Sequence, residues 1–310
     1  MNILITGVLG HIGSFLLRDF LQNKSIDKIY LVDSAKGNNL NTLFNLPRNK
    51  KKIYFFLHDL IDLSIFKKLN NIDIIIHLAS ITNAGDSLNQ RNEIYKNNYT
   101  IFKNIANFAI QKKKKLIHIS STSVYGIQVG SVDEDEKNLN PQSPYAEVKV
   151  LEEKFLFKNR KKINYVTFRF GTIFGTSCGM RFHTAVNKFC LNTFLKKPLP
   201  VWTAALNQHR PYLSIKDAIK SINFIIKKNI FNNQIYNVLT NNFTVQDILN
   251  SIKKNNLSFK VKKTLSKIMN RSTFYVSKKK LENLGLVLDS DLDTDIKETL
   301  ELFTNINKHN

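Results

Sequence analysis

Two cysteines in 310 residues leave the chain without a disulfide framework or a paired-cysteine metal spacing, and Cys178 and Cys190 are read as buried thiols. Long hydrophobic runs are also missing. The segment 72–81 is among the most apolar stretches, yet it carries Asp73 and His77 and falls well short of the ~20 residues a bilayer span needs. No transmembrane helix is expected, the first residues do not read as a secretion signal, and the expected location is cytoplasmic. Acidic residues are scarce, 24 against 46 Lys and Arg, which gives a net charge of +22 and a field that attracts polyanions. The basic residues are mostly lysines scattered along the chain beside abundant Asn and Ile, as an AT-rich coding sequence would produce. The runs 50–52 and 112–115 each precede a strand-like segment, where solvated loops carry charge. Nucleic acid therefore stands only as a remote alternative partner.

What is present is ordinary globular composition, 43% hydrophobic and 11% aromatic, enough for one or two domains with a buried core. Short β-rich runs at Asn2–Thr6, Lys28–Asp33, Lys52–Phe56, Asp73–His77, Lys115–Ser120 and Tyr165–Phe170 alternate with stretches of helical period. That alternation predicts an α/β fold, a doubly wound parallel Rossmann sheet with a smaller α/β substrate-binding domain. Residues 1–170 are read as the cofactor domain, with a return segment near 206–240 that holds a helix at Asp217–Lys228 and a strand at Gln234–Leu239. Residues 171–205 and 241–310 are read as the substrate domain, with a helix at Phe182–Leu195. The tail from Asn305 and the segment Lys253–Lys263 are polar enough to be mobile.

The first strand runs into Thr6-Gly7-Val8-Leu9-Gly10-His11-Ile12-Gly13, and a helical pattern follows from Ser14. Glycines between a strand and a helix permit a tight turn, close approach of backbone to a ligand, and a pyrophosphate at the positive helix end. Asp33 ends the second strand twenty residues after Gly13. A carboxylate there accepts both adenosine ribose hydroxyls and repels a 2′-phosphate, so the cofactor reads as NAD rather than NADP, with Lys36 near enough to soften that exclusion.

Tyr145 and Lys149 stand four apart after Pro144, a residue suited to a helix first turn, so one helix face carries both. An ammonium beside a phenol is expected to lower the phenol pKa from about 10 toward working pH, so that tyrosinate takes a hydroxyl proton as hydride leaves the same carbon. The spacing alone says little. Its weight comes from Ser120-Ser121-Thr122-Ser123 at the carboxyl end of a parallel strand, where a serine hydroxyl can bond the substrate oxygen.

These residues resemble the extended short-chain dehydrogenase/reductases, and within them the NAD-dependent nucleotide-sugar epimerase/dehydratase group. The likeness covers nearly the whole chain. It matches the glycine turn at Gly7, Gly10, His11 and Ile12, an adenine contact at Asp59-Leu60, a His-Leu-Ala-Ala-like segment at His77-Leu78-Ala79-Ser80, and a helical Asn at Asn98. The resemblance assigns Ser121, Tyr145 and Lys149 as catalytic, with Tyr145 and Lys149 also touching cofactor. On the substrate side it implies Ser121, Thr122, Thr172 in place of the family's Asn, Val201-Trp202 as the base-pairing strand, and Arg210 as a diphosphate clamp, with Arg181 as a second guanidinium.

Dehydratases of that group carry an Asp-Glu pair after the catalytic hydroxyl residue, whereas here Thr122 and Ser123 fill those places and supply no carboxylate. The remaining chemistry is 4-epimerisation of a nucleotide-diphosphate sugar through a transient 4-keto intermediate, with net dehydrogenase or 4-ketoreductase turnover as the alternative. The resemblance further implies a homodimer through a four-helix bundle, with 93–110 and 145–157 as the contributing helices. The family's Gly-Thr after the helical Asn reads Ile101-Phe102 here, which alters how closely that helix packs.

Overall fold

Strands buried on both faces read as near-continuous Ile, Leu and Val, which is why the apolar runs here are short and dense. A computed structural model of the chain describes residues 1–37, 39–82, 91–255, 258–264 and 274–303. The first runs become β1 (Asn2–Thr6), β2 (Lys28–Asp33), β3 (Lys52–Leu57) and β4 (Ile74–His77), with α1 (His11–Gln22) between the first two. A short α2 (Arg91–Ile94) passes through a π-helical turn (Tyr95–Tyr99) into α3 (Thr100–Gln111), followed by β5 (Lys115–Ser121), β6 (Gly130–Val132), α4 (Pro144–Lys158) and β7 (Tyr165–Phe170). Next come β8 (Thr172–Phe174), α5 (Ala185–Phe194), β9 (Leu199–Trp202), β10 (Arg210–Ser214), α6 (Ile215–Lys228) and β11 (Gln234–Val238). The last elements are β12 (Asn241–Phe243), α7 (Val245–Lys254), β13 (Val261–Thr264), β14 (Phe274–Val276), α8 (Lys279–Glu282) and α9 (Leu292–Glu301).

Seven strands form one sheet in the order β11-β7-β5-β4-β1-β2-β3, every neighbouring pair parallel. This is the doubly wound Rossmann arrangement expected from the alternation. The order in which strands are added reverses between β1 and β4, and ligands of such sheets bind at that switch point, beyond the carboxyl ends of the strands. One face is covered by α1 and α6, whose Leu17, Phe20, Ile222 and Ile225 are fully buried. The other is covered by α3 and α4 through Ile105, Phe102 and Leu156. Phe102 fills the space a glycine-threonine pair would leave open, its ring 5.1 Å from His118 and edge-on to Phe155 at 5.7 Å.

The rest of the chain builds a second core around Phe174, Val186, Phe189, Leu199, Tyr212, Ile248 and Ile296. β10 pairs parallel with β8 and antiparallel with β12, β9 pairs with β13, and β6 with β14. Three expectations need correction. Lys253 and Lys254 close α7, and β13 pairs residue for residue with β9, Val261 opposite Leu199, so most of 253–263 is ordered. A polar segment can do this because an edge strand is held by backbone hydrogen bonds whatever its side chains. Cys178 is exposed; only Cys190 is a buried thiol, and burial pushes it up to about 12. The helix expected at 182–195 begins at Ala185. The tail from Asn305 lies outside the described residues.

Candidate active site

The glycine turn is shaped by contacts that no larger residue would permit. Gly7 has φ +71°, and a Cβ on it would sit 2.6 Å from the backbone nitrogen of Ala79, so β1 and the segment after β4 meet at van der Waals contact. Gly10 has only the Gly7 carbonyl within 3.4 Å of such an atom, which leaves its backbone approachable at the start of α1. Asp33 accepts hydrogen bonds from the backbone N–H groups of Leu9 (3.0 Å) and Ala35 (2.8 Å), locking the turn to the end of β2. Lys36 is drawn instead to Asp59, 3.0 Å away, and does not neutralise Asp33. That ion pair, with the N–H of Ile61, outweighs desolvation and holds the Asp59 carboxyl below its usual range. Leu60 is core, its carbonyl taking a bond from Asn104.

A loop that sequence reading assigned to substrate also covers this turn. Gly179 packs so tightly that a Cβ would lie 2.4 Å from the Leu9 carbonyl, and its N–H donates to Ser14 Oγ at 2.9 Å. His11 donates from Nε2 to the Gly175 carbonyl at 3.1 Å, and burial lowers its pKa to about 4, so the ring is neutral. Arg181 at the end of the loop donates to Thr82 Oγ1 at 2.6 Å, and its charge is felt by Tyr145 and Asp33. The structure therefore brings Arg181 to the junction of the glycine turn and α4. Only the close-packed Gly175 and Gly179 could have signalled this from sequence.

On the other side, Leu78, Ala79 and Ser80 leave β4 half-buried, and Asn98 secures them: its side chain accepts from the N–H of Ile81 (2.8 Å) and donates to the Ile81 carbonyl (2.9 Å). Asn98 lies in the π turn, a helical distortion that re-aims side chains at functional positions. His77 is buried and neutral, its pKa lowered to about 3 by burial, with Thr6 Oγ1 2.8 Å from Nδ1.

α4 begins with Ser143, whose hydroxyl caps the N–H of Ala146, and with Pro144 in the first turn. Tyr145 and Lys149 then share a face, the ammonium 5.6 Å from the phenol ring centre. One expectation fails here. Burial raises the Tyr145 phenol above its ordinary value despite Lys149. Desolvation is the largest cause; Lys149 works against it, and Glu152, which takes the Lys149 ammonium at 2.8 Å and the His118 Nε2–H at 2.8 Å, both inside the protein, offsets part of the positive field at the phenol. Burial works to lower the Lys149 pKa, but Glu152 reverses this and raises it; Lys149 and His118 hold Glu152 below its usual range. Sequence reading missed this buried His118–Glu152–Lys149 chain, although Lys149 and Glu152 at i, i+3 gave half of the signal.

Ser121 ends β5 and its Oγ accepts from the hydroxyl (2.9 Å) and N–H (3.2 Å) of Ser123. The turn Thr122–Tyr125 that follows packs against α4. Thr122 is buried and its hydroxyl donates to the Phe170 carbonyl, so it is already engaged. Among the other expected substrate residues, Thr172 is exposed and Arg210 half-buried in the same three-stranded sheet, with Arg210 donating to Gln208 and covering Phe274. Val201 is buried and Trp202 exposed on β9, as alternation along a strand requires.

A doubly wound sheet with a glycine turn, an acid after β2 and a Tyr-Lys helix defines a dinucleotide-dependent enzyme acting at a carbinol carbon. The family model described as NAD dependent epimerase/dehydratase matches residues 3–238, and the chain belongs to that family. Its cofactor is NAD. An ADP-L-glycero-D-manno-heptose-6-epimerase of Brachyspira hyodysenteriae is 30% identical over 242 residues, 74% of each chain. The structure of a UDP-glucuronic acid 4-epimerase from Bacillus cereus in complex with NAD superposes with a TM-score of 0.84 at 25% identity, covering 98% of this chain and 100% of that one. A UDP-N-acetylglucosamine 4-epimerase from Methanobrevibacter ruminantium M1 gives 0.86 at 21% identity over 97% of both chains, a likeness of fold.

Proposed function

We propose that the protein is a nucleotide-sugar epimerase that inverts C4 of a nucleotide-diphosphate sugar through a 4-keto intermediate. The observation that carries this is the absence of a carboxylate at Thr122 and Ser123 beside an intact Ser121, Tyr145 and Lys149 set: proton removal at a carbinol is provided for, water elimination is not. The two comparisons with 4-epimerases support the same reading. Gly7, Gly10, His11, Ile12, Asp33 and Asn98 would hold the cofactor, and the open backbone at Gly10 fits a pyrophosphate. When bound, NAD⁺ supplies the hydride acceptor and a positive ring charge at the site. Ser121 Oγ holds the sugar oxygen, Tyr145 accepts its proton and later returns it, and Lys149, kept charged by Glu152, stabilises the tyrosinate. Arg181 and Arg210 bind anionic parts of the ligands. Thr172, Trp202 and Val201 line the sugar and base end. Residues 1–170, with the return near 206–240, form the cofactor unit, and 171–205 with 241–310 the substrate unit. The enzyme acts as a cytoplasmic homodimer joined through the helices in 93–110 and 145–157.

Denaturing the purified protein and identifying what it releases by mass spectrometry tests this reading. Stoichiometric NAD is expected, because an epimerase restores its cofactor each cycle; an empty site with steady absorbance change on turnover would indicate net dehydrogenase or ketoreductase chemistry instead. Tyr145→Phe is expected to lower kcat roughly 10²- to 10⁴-fold, the range for loss of a positioned acid-base group, while keeping bound NAD.

A further inference from the structure

The lysines scattered along the sequence are gathered by the topology. In a parallel sheet every strand starts at the same edge, and here five runs made wholly of Lys and Arg enter or approach that edge: 50–52 before β3, 67–68 before β4, 112–115 before β5, 160–162 before β7 and 227–228 before β11. Side-chain bonds tie the loops before β5, β7 and β11 together, from Lys115 Nζ to Asn229 (2.7 Å) and from Asn233 to the Arg160 carbonyl (2.8 Å). The rim's own carboxylates are few beside these runs: Asp27 is neutralised by the amino group of Met1 at 2.5 Å, and Asp73 accepts the N–H of Asn2 at 2.7 Å. Among the described residues, no cation of the five runs forms an ion pair with a carboxylate. At the opposite edge the balance reverses, with Asp33, Asp59 and Asp62 after β2 and β3 and the wholly acidic run 133–136 on the segment leaving β5.

Helix carboxyl ends also face the rim, and their dipoles favour a cation in the last turn. That accounts for Lys158 or Lys228, not for runs that continue through the loops beyond. Base composition does not account for a charge that follows strand polarity.

We infer that this edge is a docking surface for an anionic lipid bilayer, with the active-site mouth held away from the membrane. Seven strands at about 4.8 Å spacing make the rim roughly 30 Å wide, a broad face rather than a groove. Its charges are lysine ammoniums with Arg160 as the one guanidinium in the five runs, which suits a plane of point charges and offers little of the paired-donor readout used on bases. Phe157, the exposed ring beside it, is covered by the Arg160 guanidinium at 4.1 Å and is not free to stack on a base.

The test is co-sedimentation of the full-length protein with vesicles of phosphatidylcholine alone, or with a quarter phosphatidylglycerol, at roughly 0.15 M salt. Binding is expected only to the anionic vesicles and should weaken steeply with added salt. Each cation near such a surface contributes roughly a fivefold gain in partition, so the combined change Lys112→Gln, Lys161→Gln, Lys162→Gln and Lys227→Gln should weaken it more than about 100-fold with turnover and bound NAD unchanged. The same charge change made as Lys188→Gln, Lys197→Gln, Lys253→Gln and Lys260→Gln, away from the rim, should weaken it only a few-fold. Absence of binding to anionic vesicles, or equal losses in the two quadruple variants, overturns the inference. Tighter binding of a single-stranded RNA oligomer that is lost in the rim variant overturns it in favour of nucleic acid.

Discussion

Replacing Glu152 by glutamine tests the buried charge chain of α4 with almost no change of shape. The carboxylate is 1% exposed and receives both Lys149 and His118 at 2.8 Å, with His118 Nδ1 3.2 Å from Thr167 Oγ1. In Glu152→Gln the Lys149 ammonium keeps an amide oxygen but loses the opposing charge that offsets its burial. Breaking one side of a buried ion pair costs about 3–5 kcal/mol, and retained hydrogen bonding places this change near 3. At roughly 2–4 °C per kcal/mol, the unfolding midpoint should fall on the order of 6–12 °C at pH 7. The pH course follows from the shifts. Glu152 is depressed in the fold, so its contribution is present above the unfolded value of about 4.3 and is lost as pH falls through the folded one. Lys149 is raised, so its contribution is complete below about 10.4 and is lost as pH rises through the folded value. Thermal unfolding followed by circular dichroism should therefore show the full gap between about pH 5 and 9, closing as pH falls below the unfolded carboxylate value. A gap under about 1 °C at pH 7, or one unchanged in acid, would refute the reasoning.

Gly7→Ala forces a side chain at φ +71° against the Ala79 backbone, and should abolish NAD retention and cost a few kcal/mol of stability, read by cofactor content and melting. Asp33→Asn keeps an acceptor for the Leu9 N–H but removes the charge, so the preference for NAD over NADP should narrow by roughly ten- to a hundredfold in competition binding, one charge-assisted interaction being worth about 1.5–3 kcal/mol. Buried neutral His11 and His77, with pKa values lowered to about 4 and about 3, contribute stability above the unfolded value of about 6.5 that is lost as pH falls toward the folded values. Urea midpoints should therefore decline from pH 6.5 to 4, and His11→Asn should flatten part of that slope.

How much was legible in the sequence depended on whether a property is local. Strands buried on two faces and a glycine turn opening a helix are set by residues adjacent in the chain, and β1, β2, β5 and β7 begin and end within a residue or so of where the pattern puts them. The doubly wound parallel arrangement follows from the alternation, with the handedness of crossovers setting the face on which each helix lies. What escaped were contacts between distant segments. His118 and Glu152 are 34 positions apart, and Gly179 and Ser14 are 165 apart. Neither closeness leaves a periodic trace. The expected low phenol pKa failed for the same reason: Tyr145 and Lys149 were visible as a pair, whereas the burial that raises the phenol, and the carboxylate that claims the ammonium, come into play only when α4 lies against β5. The lysine-rich rim is legible only after topology gathers it, since spacing along the chain gives no hint that five separate runs share an edge.

The two adjacent acids of α4 show how burial, charge and catalysis are divided on one helix. Successive residues point about 100° apart, so Glu152 and Glu153 meet different neighbours. Glu152 turns to His118 and Lys149, whereas Glu153 accepts the hydroxyl of Ser120 at 2.6 Å and a fork from Arg169 at 3.0 and 2.7 Å. Each is buried, so each would be prohibitively costly alone, and each is matched by a cation of the sheet or of its own helix. The Arg169 pair fixes α4 to β7, and the Ser120 bond fixes it to β5 one residue before Ser121. The placement of the Ser121 hydroxyl relative to Tyr145 is therefore set by a structural ion pair, while the neighbouring carboxylate sets the charge state of Lys149. α4 lacks a single apolar stripe because it is buried from more than one side, and its buried Lys149, Glu152 and Glu153 are paired within the protein, while Lys154 and Lys158 face water.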